Sequence, residues 1–140
     1  MNILVTGAAG QLGKTIANAV QDCSNRYFFC DVQELDITDA QAVEEYVKQN
    51  GINVIVNCAS YTAVDKAEDE AEIADAVNHK AVAAMTKVAK DNDAVLIHIS
   101  TDYVFDGTAC VAYTEDSQMN PLSVYGRTKA DSERAVAESG

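Results

Sequence analysis

The sequence lacks tryptophan altogether and carries a single proline and two histidines in 140 residues. Its four cysteines, Cys23, Cys30, Cys58 and Cys110, form no CxxC pair. With so few imidazoles and no paired thiols, neither a zinc site nor a disulfide framework is expected, and no metal ligands are assigned. The cysteines read as small packed hydrophobes. Basic residues are also scarce: 10 Lys and Arg stand against 22 Asp and Glu, a formal net charge of −12. Such a surface repels phosphate backbones and anionic lipid, so neither nucleic acid nor membrane is an expected partner. No apolar run approaches the length of a membrane span, and the apolar start Met1–Thr6 is too short for a signal-peptide core. A cytoplasmic location is expected.

What remains is a globular composition, 48% hydrophobic, of a length that suits one domain over residues 1–140. Strand-like and helix-like segments alternate. Asn2–Thr6 is a short β-rich run. Gln11–Asp22 has helical spacing, with Leu12, Ile16, Ala19 and Val20 on one side. Tyr27–Asp31 reads as a second strand. Thr38, with Gln41 three places on, makes a capping-box pattern for a helix that runs to about Asn50 and ends at Gly51. Asn53–Asn57 and Ala94–Ser100 are apolar strands of the kind buried on both faces. A long helix is expected over roughly Glu70–Lys90, and a last one over Val124–Ala137 with Pro121 marking its start. The carboxylate run Asp65–Asp75 reads as a solvated helix face. His98 reads as a satisfied core residue and His79 as a near-surface one. This order predicts an α/β doubly wound parallel sheet of Rossmann type, in three layers α/β/α.

Two motifs carry chemistry. Gly7-Ala8-Ala9-Gly10-Gln11-Leu12-Gly13 leaves the first strand and opens the first helix. Gly7 permits the tight turn, Gly10 a close backbone approach to a pyrophosphate, and Gly13 the packing of helix on strand. The helix N-terminus offers free N–H groups to the anion. Asp31, ending the second strand, is placed to bond ribose hydroxyls and to repel a 2′-phosphate, which favours NADH over NADPH. A role as a strand-end cap is the alternative for Asp31.

The second motif is Tyr125-Gly126-Arg127-Thr128-Lys129. Positions i and i+4 share a helix face, so the phenol and the ammonium can enter one site. Reducing a ketone needs a hydride at carbon and a proton at oxygen. A free phenol has a pKa of about 10, and a neighbouring ammonium stabilises its phenolate. A hydroxyl at the end of the preceding strand completes such a site, because ligands of doubly wound sheets bind at carboxyl ends of strands. Ser100 and Thr101 both satisfy that spacing.

These residues resemble those of the dTDP-4-dehydrorhamnose reductases, a family of extended short-chain dehydrogenases/reductases. The resemblance covers the whole chain. It rests on Asn2–Gly7, Gly10–Gly13, Val56–Glu68, Ser100-Thr101-Asp102-Tyr103-Val104-Phe105-Asp106-Gly107 and Val124–Lys129. It implies that Thr101 is the catalytic hydroxyl, Tyr125 the proton donor and Lys129 its electrostatic partner. It places the dinucleotide on Gly10, Gln11 and Leu12, the adenine near Asp36 and Ile37, and Ala59, Ser60 and Tyr61 beside the nicotinamide half. Val64, Asp65 and Tyr103 would line the sugar side, and Asn78 would brace the central strands. The implied reaction reduces dTDP-4-dehydro-6-deoxy-L-mannose to dTDP-L-rhamnose, a donor for cell-wall and O-antigen (lipopolysaccharide) sugar, with NADH or NADPH.

Family members continue into a C-terminal substrate domain, so the chain is expected to be a truncated piece, itself poorly active, of a parent for which a homodimer is the candidate assembly. Two other readings share the scaffold. One is a sugar-nucleotide epimerase or dehydratase, against which the Ser100–Phe105 segment counts. The other is a non-catalytic regulatory subunit like that of methionine adenosyltransferase, against which the intact Thr101, Tyr125 and Lys129 count.

Overall fold

A computed structural model describes residues 1–21 and 24–139. The first helix ends at Ala19, with a turn at Val20 and Gln21, short of the expected Asp22; Asp22 itself and the packing of Cys23 lie outside the described residues. The strands are β1 (Asn2–Thr6), β2 (Arg26–Cys30), β3 (Val54–Asn57) and β4 (Val95–His98), all parallel, in the order β2-β1-β3-β4. The helices are α1 (Gln11–Ala19), α2 (Ala40–Asn50), α3 (Val64–Ala67), α4 (Ala71–Asp75), α5 (Ala81–Asp91) and α6 (Val124–Glu138).

Register explains the core. Leu4 stands beside Phe28 and Ile55, and Ile55 beside Leu96, so these side chains share one sheet face. Val43 and Val47 of α2, Val82 and Met85 of α5 and Val136 of α6 close over them. The chain moves from β1 to β2 in one direction and from β2 to β3 in the other. Right-handed crossovers therefore put α1 on the opposite face. The result is the expected doubly wound three-layer arrangement.

Burial on both faces does not hold for the two apolar strands. Ile55 is fully buried, but Val54 and Val56 are half-buried, and Val95 and Ile97 of β4 are 59% and 48% exposed. β4 is an edge strand, and among the described helices only α1 is assigned to that face. Strand β4 is also shorter than expected. Ile99 leaves the ladder, and its carbonyl accepts from the Lys129 ammonium instead.

The other departures are local. Asp39, not Thr38, caps α2: its carboxylate accepts from the Ala42 N–H at 3.0 Å, while the Thr38 hydroxyl donates to Asp36 at 2.7 Å. Gly51 ends α2 in the left-handed conformation, as expected. The long helix is α4 and α5 joined by a π-helical turn at Ala76–Lys80. Such wide turns redirect side chains and recur at functional sites; this one turns Asn78 inward. Cys30 is buried and Cys58 half-buried, but Cys110 is exposed, so packing does not describe it. Among the described residues no helix is long and apolar enough to cross a membrane.

Candidate active site

The glycine turn has the shape its spacing demands. Gly7 adopts φ +62°, and a Cβ there would lie 2.6 Å from the Ala59 nitrogen, so β1 and the end of β3 meet across a bare backbone. Gly13, the one buried residue of α1, sits on Gly7 and Ala8. The N-cap residue of α1, Gly10, makes no side-chain cap, and the first turn carries no acid. The Lys14 N–H is taken by the Gly10 carbonyl, which leaves the N–H groups of Gln11, Leu12 and Gly13 pointing outward at the positive end of the helix.

A cleft of about 330 Å³ opens beside this turn at the carboxyl ends of the strands. Gly7, Gly10, Asp31, Asp36, Ile37, Ala59, Ser60 and Tyr61 all line it. Gln11 and Leu12 do not line it; they sit exposed at the mouth, on the first turn of α1. Both roles weighed for Asp31 are visible. It faces the cleft, and it also clamps the glycine turn, accepting from the Ala9 N–H at 2.7 Å and the Val32 N–H at 2.8 Å. The Ala9 and Val32 N–H bonds hold its carboxyl below the usual range. At Asp36, the Thr38 hydroxyl and N–H do the same.

The wall formed by Ser60 and Tyr61 is fixed by Asn78, which is 1% exposed. Its Oδ1 accepts from the Ser60 hydroxyl at 2.9 Å and the Tyr61 N–H at 2.8 Å. Its Nδ2 donates to the Tyr61 carbonyl at 3.0 Å and to Thr128 at 3.2 Å. Asn78 therefore braces the loop after β3 against α6, rather than the strands themselves. The carboxylate run is not merely a solvated face: Glu68 accepts from the Val124 N–H at 2.8 Å, and Glu70 accepts from the Tyr61 hydroxyl.

Helix α6 starts at the Ser123 cap, whose hydroxyl accepts from the Gly126 N–H at 3.0 Å. Pro121 lies ahead of that cap rather than at the first helical position. Tyr125 is buried against Ala67 and Ala74, with Tyr61 and Val64 packed around it. Among the described residues its hydroxyl has no hydrogen-bond partner, yet no fully buried side-chain polar atom is left unpaired. The phenol tip therefore reaches open space. One turn on, Lys129 is only 2% exposed and forms no ion pair among the described residues. Burial pushes its ammonium down to about 8, with Glu133 opposing.

Thr101 caps a short 3₁₀ turn, Asp102–Val104, accepting from the Tyr103 N–H at 3.3 Å and donating to Asp102 at 3.2 Å. That turn packs on α6: the Tyr103 and Tyr125 rings stand edge to face, 5.7 Å between centroids. Ser100 instead points to Glu133. Tyr103 lines a second hollow of about 510 Å³ with Glu68, Asp106 and Tyr113. Val64 and Asp65 begin α3 outside that hollow, Val64 against Tyr125 and Asp65 in solvent. His98, Asn57 and Ser132, none of them expected at the site from the sequence, form the polar layer beneath Lys129. The one sequence signal for them was two polar residues, Asn57 and His98, at the ends of apolar strands.

Comparison with known proteins agrees with this fold. The family described as RmlD substrate binding domain matches residues 1–140. The chain is 42% identical over 136 residues to the dTDP-4-dehydrorhamnose reductase of Aggregatibacter actinomycetemcomitans, covering 96% of this chain and 46% of that one. It is 43% identical over 135 residues to that of Mycolicibacterium smegmatis, covering 96% and 41%. Its structure superposes on the dTDP-4-dehydrorhamnose reductase of Clostridium acetobutylicum with a TM-score of 0.97 at 40% identity, covering 100% and 50% of the two chains. On the Bacillus anthracis enzyme, solved in complex with NADP, the TM-score is 0.94 at 34% identity, covering 98% and 49%. The chain thus spans about half the length of the relatives it matches. A UDP-glucose 4-epimerase of Thermus thermophilus, 18% identical, shares the fold. By sequence and by structure alike, the chain belongs to the RmlD family, that of the dTDP-4-dehydrorhamnose reductases.

Proposed function

We propose that this chain supplies the cofactor cleft and the proton-donating residues of an NAD(P)H-dependent reductase acting on a nucleotide-linked 4-keto sugar. The substrate we assign is dTDP-4-dehydro-6-deoxy-L-mannose and the product dTDP-L-rhamnose. The observation that carries this reading is Lys129. A lysine is almost never fully buried without an opposing charge, and one kept so, a helical turn from an accessible phenol, is there for chemistry rather than stability.

The cleft fits a dinucleotide. The uncapped N–H groups of Gln11 and Leu12 suit a pyrophosphate, and Gly10 keeps side-chain atoms out of its way. Asp31 and Asp36, with Ile37, suit the adenosine end; Ala59, Ser60 and Tyr61 suit the other. The carboxylate of Asp31 opposes a 2′-phosphate and favours NADH, although the Bacillus anthracis relative holds NADP.

When bound, the nicotinamide supplies the hydride to the sugar C4. The chain's own residues manage the proton. Tyr125 donates its phenolic hydrogen to the ketone oxygen, and Lys129 stabilises the phenolate left behind. Thr101 bonds the same oxygen, and Val64, Asp65 and Tyr103 form the sugar side. The test is to mix the full-length protein that carries this chain with the dTDP-4-keto sugar and NADH and follow loss of NADH. Oxidation that disappears in Tyr125→Phe is expected. No oxidation with either NADH or NADPH would favour a non-catalytic binding subunit.

A further inference from the structure

The polar side chains beneath Lys129 form a chain whose hydrogens are fixed independently from both ends. Asn57, 1% exposed on β3, accepts through Oδ1 from the Ala59 N–H at 3.2 Å and the Thr6 hydroxyl at 2.6 Å. A backbone N–H can only donate, so that atom is the oxygen. The atom 3.1 Å from His98 Nδ1 is then the amide nitrogen, which also only donates. His98 Nδ1 must accept. At the other end, the Ser132 hydroxyl donates its one hydrogen to the Lys129 carbonyl at 2.6 Å. Toward His98 Nε2, 3.0 Å away, it can only accept. Both ends therefore specify one state: a neutral imidazole with its proton on Nε2.

Lys129 Nζ lies 3.1 Å from that same Nε2. An ammonium there meets an N–H donor, whereas a neutral amine can share that one hydrogen with the Ser132 oxygen as a second acceptor. The Ile99 carbonyl is the acceptor on the amine's other side. We propose that His98 is a positioning residue, locked as the Nε2–H tautomer by Asn57 and Ser132, which loosens the hold of the Lys129 ammonium on its proton, so that the side chain stabilises a phenolate while charged and stays ready to exchange a proton. This rests on the reading of Tyr125 and Lys129 as the proton-handling pair, and it adds a partner that reading did not need.

The surroundings are consistent. Burial holds His98 down to about 4, with Lys129 adding to the effect, so the imidazole stays neutral through the working range. Glu133, on the same helix, is the charged group that opposes the shift of Lys129. Of the elements packed on α6, the π turn presents neutral Asn78, the 3₁₀ turn sets the Tyr103 phenol against Tyr125, and Glu68 after α3 is held at the Val124 N–H. Asp75 of α4 is bound by His79 and Lys80.

The test is nuclear magnetic resonance on the labelled protein. The ¹⁵N shifts of His98 report its tautomer, and the ¹³Cε shift of Lys129 reports its titration. The unsubstituted protein is expected to show protonated Nε2 and bare Nδ1 from about pH 5 to 8. In His98→Gln the amide can turn its oxygen toward Nζ, so the Lys129 midpoint should rise by about one unit, a tenfold gain in proton affinity. Burial alone would leave that midpoint in place. A proton on Nδ1 in the unsubstituted protein, or an unmoved or lowered midpoint in folded His98→Gln, would overturn the proposal. Should His98→Gln not fold, the tautomer of the unsubstituted protein decides. Neither readout uses turnover, so loss of the reductase reading and loss of this one are told apart.

Discussion

Gly126 lies directly beneath the carbonyl of Tyr103. A Cβ at Gly126 would overlap that oxygen and come within 3.1 Å of Pro121. One backbone belongs to the turn capped by Thr101 and the other to the helix that carries Tyr125 and Lys129. The missing side chain is what lets these two elements touch. In an ordinary helix, Gly→Ala stabilises by about 1 kcal/mol. Here the sign should reverse: Gly126→Ala should lose roughly 1–3 kcal/mol, the usual cost of forcing extra volume into a packed contact. Urea unfolding checks this, and a stabilised variant would contradict the packing described.

The glycine turn makes a similar prediction for the cofactor end. Gly7→Ala places a methyl 2.6 Å from the Ala59 nitrogen at a left-handed φ of +62°. It should cost at least about 1–2 kcal/mol in backbone strain alone. Gly10 has φ −73° and its nearest contact is the Gly7 carbonyl at 3.2 Å, so Gly10→Val should fold more readily while obstructing a pyrophosphate. Unfolding curves and a dinucleotide titration, measured on both variants, separate the two effects.

Much of this site was legible beforehand. Gly7 and the Tyr125–Lys129 pair stand out because they are read from spacing along one turn or one helix, and Asp31 because it follows a strand; the fold puts Gly7 and Asp31 on the cleft and Tyr125 and Lys129 on α6. His98, Asn57 and Ser132 did not, since their connection exists only once β3, β4 and α6 lie side by side. Asn78 was visible only by resemblance, and its partners were not the strands. A period-3.6 pattern cannot reveal the π turn that reorients it. Nor can a run such as Val95–Ile97 say which of its faces is covered, which is why an exposed edge strand read as a buried one. The cap of α2 moved by one residue because Asp36 competes for Thr38.

Replacing Lys129 by methionine keeps most of the buried volume and removes the buried charge. Lys129→Met should raise stability by roughly 1 kcal/mol, as functional sites often trade stability for chemistry. Turnover should fall with it. A thermal melt paired with an NADH oxidation assay checks both halves, and a destabilised, fully active variant would contradict the role given to Lys129.

The pH dependence of stability follows from the same two groups. His98 is held down to about 4, below an imidazole's ordinary 6.5. Between those values the unfolded chain takes up a proton that the native one does not, so stability falls as pH drops through that window. Lys129, held down to about 8 against an ordinary 10.5, acts at the other end. Its burden is full below about 8 and is relieved as pH rises towards 10.5, so this residue alone adds stability there. Urea midpoints across pH should show the acid-side slope weakened in His98→Gln and the alkaline gain absent in Lys129→Met.

For the chemical assignment, Tyr125→Phe removes one hydroxyl that has no hydrogen-bond partner among the described residues. Turnover should fall about 10²–10⁴-fold, the usual contribution of a positioned acid, while affinity for NADH stays nearly constant. Stopped-flow reduction and a fluorescence titration of the same variant measure the two quantities.

The most direct measurement is a titration of the isotope-labelled protein with NADH, following its amide resonances. Shifts concentrated at Gly7, Gly10, Gln11, Ala59, Ser60 and Tyr61, and extending to Tyr125 and Lys129, are the predicted outcome. Saturating NADH that leaves those amides unmoved, or shifts a different face of the sheet, would contradict the site at its root.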